Sequence, residues 1–276
     1  MQRPTIAIIG PGRAGSALGR ALHAAGYSVA AIGGRNPESI GSLAQELGAR
    51  ACPTPAAALE LADLTLLAVP DDVIGEVAAA MAANLAPDGG KAAVHLSGAQ
   101  GRDPLQPLAK AGVRIGVFHP LQTFRRGLRA ARNVPGSYIG VDADPPLRVQ
   151  LTAMAGEIGG HAFDLAGIDR ALYHAAAVFA ANYPVMLVAE AAALARAAGL
   201  DKEAAERGMT TLLAGAVANL QNTNPDEALT GPAARGDLGT IERHLEALKN
   251  DPELQRLYRL LADRAMRLAK KKEAAA

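Results

Sequence analysis

The chain has 276 residues, half of them hydrophobic, a fifth charged and only 3% aromatic, with a formal net charge of +1. That length can bury a core in one large domain or two smaller ones, while the near-neutral charge and the lack of tryptophan exclude the electrostatic footprint of a nucleic-acid or anionic-membrane binder. A single cysteine, Cys52, excludes an internal disulfide and reads as a small buried hydrophobe, so no metal site is expected.

The first predicted element is a strand over 5–9, where TIAII is a short apolar run that meets glycines. No signal-peptide core precedes it. A helix is predicted over 14–25, a strand over 27–33, and a helix over 37–47 that opens at Pro37. A strand over 64–69, a helix over 72–85 and strands over 91–97 and 113–120 follow. Continuous apolar strands alternating with helices predict a parallel sheet covered on both faces. Two shorter strands are expected over 137–141 and 161–165. Strand signals then stop, and helices are predicted over 167–198, 201–220, 238–248 and 252–271, the last starting at an Asp-Pro pair. The fold class is therefore α/β, with a Rossmann dinucleotide-binding domain over 1–165 and an all-helical domain over 166–276. The most apolar span, 175–198, is interrupted by Asn182, Pro184, Glu190 and Arg196, so no membrane helix is expected and the protein reads as cytoplasmic. The tail over 270–276 reads as a frayed, solvated helix end.

Gly10, Gly12 and Gly15 have the G-x-G-x-x-G spacing, directly after an apolar strand and at the start of a helix. Gly10 serves the tight turn, Gly12 the approach of a pyrophosphate, and Gly15 the packing of helix on sheet. The helix N-terminus supplies free N–H groups to phosphate, so Pro11, Arg13 and Ala14 join the cofactor-binding set. A site that prefers NAD places a carboxylate at the end of the second strand. This chain instead has Gly33, Gly34, Arg35 and Asn36, and Arg35 is suited to a 2′-phosphate, which favours NADP over NAD. Val69, Pro70 and Asp71 close the strand over 64–69 and are expected in the same cleft, although Asp71 and Asp72 serve equally as helix caps.

On the substrate side, Ser97 and Gly98 end one strand, and His119 and Gln122 end the next. Read as structure alone, Ser97 bonds its own turn and His119 a backbone group. In YHAAAVFAANYP (173–184), His174, Val178 and Asn182 share one helix face, with Tyr173 on another side. Pro184 is expected to kink that helix. His174 is the candidate proton donor with His119 in reserve, and Asn182 and Ser97 are candidates to orient the substrate. In LTGPAARGD (229–237), Thr230 and Gly231 offer backbone donors to an anion. Arg235 is suited to an acid group, and Asp237 either pairs with Arg235 or caps the next helix.

The glycine loop, AVPDD, HLSGA, FHPLQTF, YHAAAVFAANY and LTGPAARGD occur in this order over nearly the whole chain. Together they resemble the Rossmann-like proteins with a C-terminal domain of unknown function. That group is itself similar to pyrroline-5-carboxylate reductase, ketopantoate reductase and the wider 6-phosphogluconate dehydrogenase-like set. The resemblance implies an NADP-binding domain, a helical 6-phosphogluconate dehydrogenase-like second domain and a homodimer formed through its helices. It implies no substrate. Ketopantoate reductases use a lysine on the first long helix of the second domain, and helix 167–198 has none. The expected function is an NADP-dependent oxidoreductase acting on C=O of a small anionic metabolite, with a 2-oxo acid such as ketopantoate favoured. Its rivals are an imine reductase of the pyrroline-5-carboxylate type and an NADP-binding sensor without turnover.

Overall fold

The computed structural model describes residues 3–83, 85, 90–125 and 127–275. Its first compact unit is Met1–Ala181 and its second is Asn182–Ala276. In chain order the first contains β1 (Ile6–Ile9), α1 (Arg13–Ala24), β2 (Val29–Gly33), α2 (Pro37–Leu47), β3 (Arg50–Ala51), α3 (Pro55–Glu60), β4 (Leu64–Leu67), α4 (Ile74–Ala82) and β5 (Ala92–His95). It continues with α5 (Gln106–Lys110), β6 (Arg114–Leu121), β7 (Tyr138–Ala143), α6 (Pro145–Glu157) and β8 (His161–Asp164). The helix α7 (Arg170–Ala197) carries the chain into the second unit, followed by α8 (Lys202–Asn222), α9 (Pro225–Ala228), α10 (Leu238–Ala247) and α11 (Pro252–Ala275). The division between the units falls inside α7, whereas the strands end at Asp164.

The eight strands form one sheet in the order β3-β2-β1-β4-β5-β6-β7-β8. Alternate residues of each central strand face opposite cores, as the two-residue period of a strand requires. Ile6 and Ile8 of β1 meet Leu18 and Leu22 of α1, Leu43 of α2 and Leu151 of α6 in one cluster. Ala7 and Ile9 join Leu59 of α3, Ile74 and Met81 of α4 and Leu108 of α5 in the other. Both faces are therefore buried, and the strands lack the polar alternation of a one-sided sheet. Cys52 lies in the second cluster, 3% exposed.

The expectation of an all-parallel sheet is corrected at β7, which runs antiparallel to β6, with His119 opposite Gly140. Among the described residues the connection between them has no crossover helix. It contains the 3-10 segment Leu128–Asn133, which packs against α1. Five elements were not anticipated, one of them the four-residue α9 in the second unit. Like α9, the elements β3, α3 and α5, with two, six and five residues, are too short to show a period. The fifth, α6, did carry signals: Asp144-Pro145 at its start and buried Leu147, Leu151 and Met154 on one face. The helix predicted to reach residue 85 closes at Ala82, and residue 84 lies outside the described set, as does residue 276 of the predicted tail. The chain is helical up to Ala275.

The α7 helix continues through Pro184. By length and composition it is, among the described residues, the one helix long and apolar enough to cross a membrane, with mean hydropathy 1.5 over its most apolar window. The polar interruptions noted in the sequence do not remove it from that class. In the second unit, α10 is capped by Asp237, whose carboxylate accepts from the Thr240 N–H at 3.0 Å and its hydroxyl at 2.7 Å. The His244 ring joins α10 to α11 through the Tyr258 hydroxyl at 2.6 Å.

Candidate active site

The glycine loop lies between the carboxyl end of β1 and the start of α1. Gly10 has φ +91°, and a Cβ there would meet the Ala68 carbonyl oxygen at 2.5 Å. At Gly15 a Cβ would run into the Gly10 carbonyl oxygen and lie 2.9 Å from the Ala68 Cβ, so the helix is drawn tight against the loop. Gly12 differs, because nothing lies within 4 Å of the place a Cβ would occupy. Gly12 is also the N-cap of α1 and makes no side-chain cap, which leaves the first-turn N–H groups for a ligand.

A cavity of about 600 Å³ opens beside this loop. Gly10, Pro11 and Gly12 form one side, Gly34, Arg35 and Asn36 a second, and Val69, Pro70, Val73 and Val77 an apolar wall, with Glu76 at its edge. Arg13 and Ala14 open α1, with Arg13 exposed and Ala14 packed on the core. These features fit a dinucleotide: open space over Gly12, an uncapped helix N-terminus, and a cation in place of a carboxylate after β2. Asp71 begins the 3-10 turn Asp71–Val73, and the capping role weighed for Asp71 and Asp72 is corrected, since neither carboxylate caps that turn or α4.

The ends of β5 and β6 build a second feature. His95 is fully buried and holds the loop that follows it. Its Nε2–H donates to the Gly101 carbonyl at 2.7 Å and its Nδ1 accepts from the Ser97 N–H at 3.2 Å, which fixes one neutral tautomer. Ser97 Oγ in turn accepts from the N–H groups of Ala99 and Gln100, both at 3.1 Å. His119 Nδ1–H donates to the Leu96 carbonyl at 2.9 Å. A carbonyl can only accept, so Nε2 of His119 carries the lone pair. Gly98 lies against that edge of the ring, where a Cβ would come within 2.7 Å of Nε2. Burial pushes the pKa of both histidines below the usual imidazole range.

Tyr173 meets His119 edge to face, with ring centroids 5.6 Å apart. Its hydroxyl is buried without a hydrogen-bond partner, as are Nδ1 of His174 and Nε2 of His119. Burial raises the Tyr173 pKa, so the phenol keeps its proton. One turn earlier on α7, Arg170 Nη2 donates to Asp142 at 2.7 Å, while Nη1 is buried without a partner. Asp142 is also held by Arg102 at 3.3 Å. Tyr173 and His174 both turn inward, although the helix projection put them on different sides. Unpartnered buried polar atoms are costly and uncommon in folded proteins, and four of them occur on these residues. Gln122 spends its amide on the loop itself, giving to the Asn133 carbonyl at 3.1 Å and accepting from the Thr123 N–H at 2.8 Å.

Two family models match this chain. Residues 5–119 match one described as NADP oxidoreductase coenzyme F420-dependent, and residues 137–265 match a domain of unknown function, DUF2520. The chain joins an NADP oxidoreductase domain to a DUF2520 domain. No curated protein matches it. Among solved structures it is similar to a Bacteroides fragilis protein provisionally named an NADP oxidoreductase, with 26% identity and TM-score 0.78 over 96% of this chain and 98% of that one. A pyrroline-5-carboxylate reductase from Coxiella burnetii shares the fold at 20% identity and TM-score 0.62, over 98% of each chain. A reductive aminase from Aspergillus terreus shares it at 18% identity and TM-score 0.68, over 96% of this chain and 94% of that one.

Ser97, Gly98 and His119 come from the oxidoreductase match, whereas Arg170, Tyr173 and His174 come from the DUF2520 match, yet all six lie in the first compact unit. The remaining predicted residues lie in the second unit. Asn182 is exposed on α7. Thr230, Gly231 and Arg235 lie between α9 and α10, where Thr230 and Arg235 are exposed and Asp237 takes its capping role. Sequence reading passed over His95, Asp142 and Arg170. For His95 a signal existed: a histidine ending an otherwise apolar strand, AAVH, whose every position is buried.

Proposed function

We propose that the protein is an NADPH-dependent reductase of the C=N bond of a small imine. The observation that carries this reading is the set of unpartnered groups around His119: the Nε2 lone pair, the Tyr173 hydroxyl and Nδ1 of His174. A carbonyl oxygen needs donors, whereas the N–H of a protonated imine needs an acceptor. The neutral His119, with Nδ1–H committed to Leu96, offers that acceptor. The α7 helix also lacks the lysine that ketopantoate reductases place there, and the likeness to a pyrroline-5-carboxylate reductase and a reductive aminase supports the alternative first set beside the 2-oxo acid.

In this reading NADPH, when bound over Gly12, supplies the hydride. His119 accepts from the iminium N–H, and the protonated Tyr173, in edge-to-face contact with the His119 ring, orients the substrate. His174, from the same helix turn, exchanges the proton that the product amine gains or loses. His95 keeps Ser97 and Gly98 in place without touching substrate. The protein is read as a homodimer through its C-terminal helices. Support comes from apolar side chains that stay exposed in the second unit: Val185 at 69%, Leu212 at 70% and Leu220 at 49%.

NADPH consumption measured with small cyclic imines and with 2-oxo acids tests the reading. Turnover is expected with the imines. Turnover with 2-oxo acids alone returns the protein to carbonyl chemistry, and saturable NADPH binding with no consumption across both classes makes it a sensor.

A further inference from the structure

A second cavity, of about 420 Å³, shares Pro11, Gly12, Asn36 and Ser39 with the larger one and is lined further by α1 and by the segment after β6. Three arginines from two separate parts of the chain line it: Arg13 and Arg20 of α1, and Arg125 of the segment after β6. Arg20 is neutralised by Glu46, which receives Nε at 2.6 Å and Nη2 at 2.7 Å. Arg13 and Arg125 make no ion pair among the described residues, and the lining contains no carboxylate. Two uncompensated guanidinium groups beside one polar cavity repel each other unless an anion joins them. Asn36 caps α2 through Oδ1, which accepts from the Ser39 N–H at 3.0 Å, so its amide N–H groups stay available to such an anion.

We propose that Arg13 and Arg125 form the second half of the 2′-phosphate site, facing Arg35 across Asn36 and Ser39. The inference rests on the NADP reading above and deepens it. Arg35 lines only the larger cavity, while Asn36 and Ser39 line both. Asn36 and Ser39, which line both cavities, would then lie between Arg35 and the two further arginines around the phosphate. Coenzyme choice is then set by three separate places: the start of α1, the turn after β2, and the segment after β6. The fork geometry of each guanidinium suits a phosphate dianion.

The test measures coenzyme binding directly, without turnover. NADPH and NADH are titrated by fluorescence into the wild-type protein and into Arg13→Ala, Arg125→Ala and Arg125→Gln, with 2′,5′-ADP and AMP as competing fragments. Both arginines are exposed, so the folds should persist, and thermal unfolding checks this. Each variant is expected to lose about tenfold in NADPH and 2′,5′-ADP affinity, or about 1.4 kcal/mol, with NADH and AMP changed less than about twofold. Unchanged NADPH affinity in both Arg125 variants overturns the proposal. Equal losses for NADPH and NADH overturn it too, because the cations would then serve the pyrophosphate. In either case the NADP reading stands, whereas a wild-type protein that retains neither coenzyme overturns both.

Discussion

Substituting Gly12 by alanine separates the fold from coenzyme binding, because the structure gives the two opposite requirements at this position. The backbone φ of −76° suits alanine, and no atom lies within 4 Å of the new Cβ. Restricting the unfolded chain stabilises by about 0.4–1 kcal/mol, and the poorer N-cap costs roughly the same. The net change is therefore within about 1 kcal/mol, or about 2–4 °C in Tm for a protein of this size. The same methyl occupies the space through which a pyrophosphate reaches the first-turn N–H groups, so NADPH affinity should fall at least tenfold, or about 1.4 kcal/mol. Gly15→Ala is the contrasting variant. Its Cβ collides with the Gly10 carbonyl and lies 2.9 Å from Ala68 Cβ, an overpacking worth about 1–3 kcal/mol. Calorimetric unfolding and NADPH titration on both variants make the comparison. A Gly12→Ala protein that binds NADPH normally, or that melts far below the wild type, would refute the reasoning.

Three further outcomes are expected. Tyr173→Phe removes a buried hydroxyl that has no partner, so unfolding should show equal or greater stability while imine turnover drops by about 10²-fold or more; a drop in Tm would show that the hydroxyl has a structural partner instead. Both His95 and His119 have folded pKa values depressed by burial. The unfolded chain therefore binds more protons below about pH 6.5, and stability should decline from there toward the folded values, by up to about 1.4 kcal/mol per pH unit for each histidine; His95→Gln should reduce that slope, and denaturant melts from pH 7 to 5 will show whether it does. Leu212, 70% exposed in the isolated chain, should become a source of monomers when changed to glutamate, which sedimentation would report as a loss of the dimer.

The Rossmann core was legible because its signals are local. Apolar runs such as TIAII ended in glycines, and Gly10, Gly12 and Gly15 stood where a strand passes into a helix. Asp144-Pro145 announced α6 just as Asp251-Pro252 announced α11, but only the latter followed a long helical pattern. The reversal of β7 had no local signal, since strand direction depends on tertiary packing such as that of Leu128–Asn133 against α1. The candidate site was visible in part. Ser97, His119 and His174 were singled out from their positions at strand ends and on one helix, and Ser97 Oγ proves to bond its own turn. The His95–Gly101 and Asp142–Arg170 bonds join residues 6 and 28 apart, which one-dimensional reading does not pair. Gln122 looked like a ligand for the same reason: its bonds to Asn133 and Thr123 exist only once the loop has closed.

A crystal structure with NADP and an unreactive imine analogue would measure how far the nicotinamide C4 lies from the Tyr173 hydroxyl and the His174 ring. The account predicts that both stand within about 5 Å of C4, leaving room for one reacting atom between them, with His119 Nε2 facing the analogue's nitrogen. A nicotinamide ring bound far from α7, with the His119 edge still closed by Gly98, would contradict it.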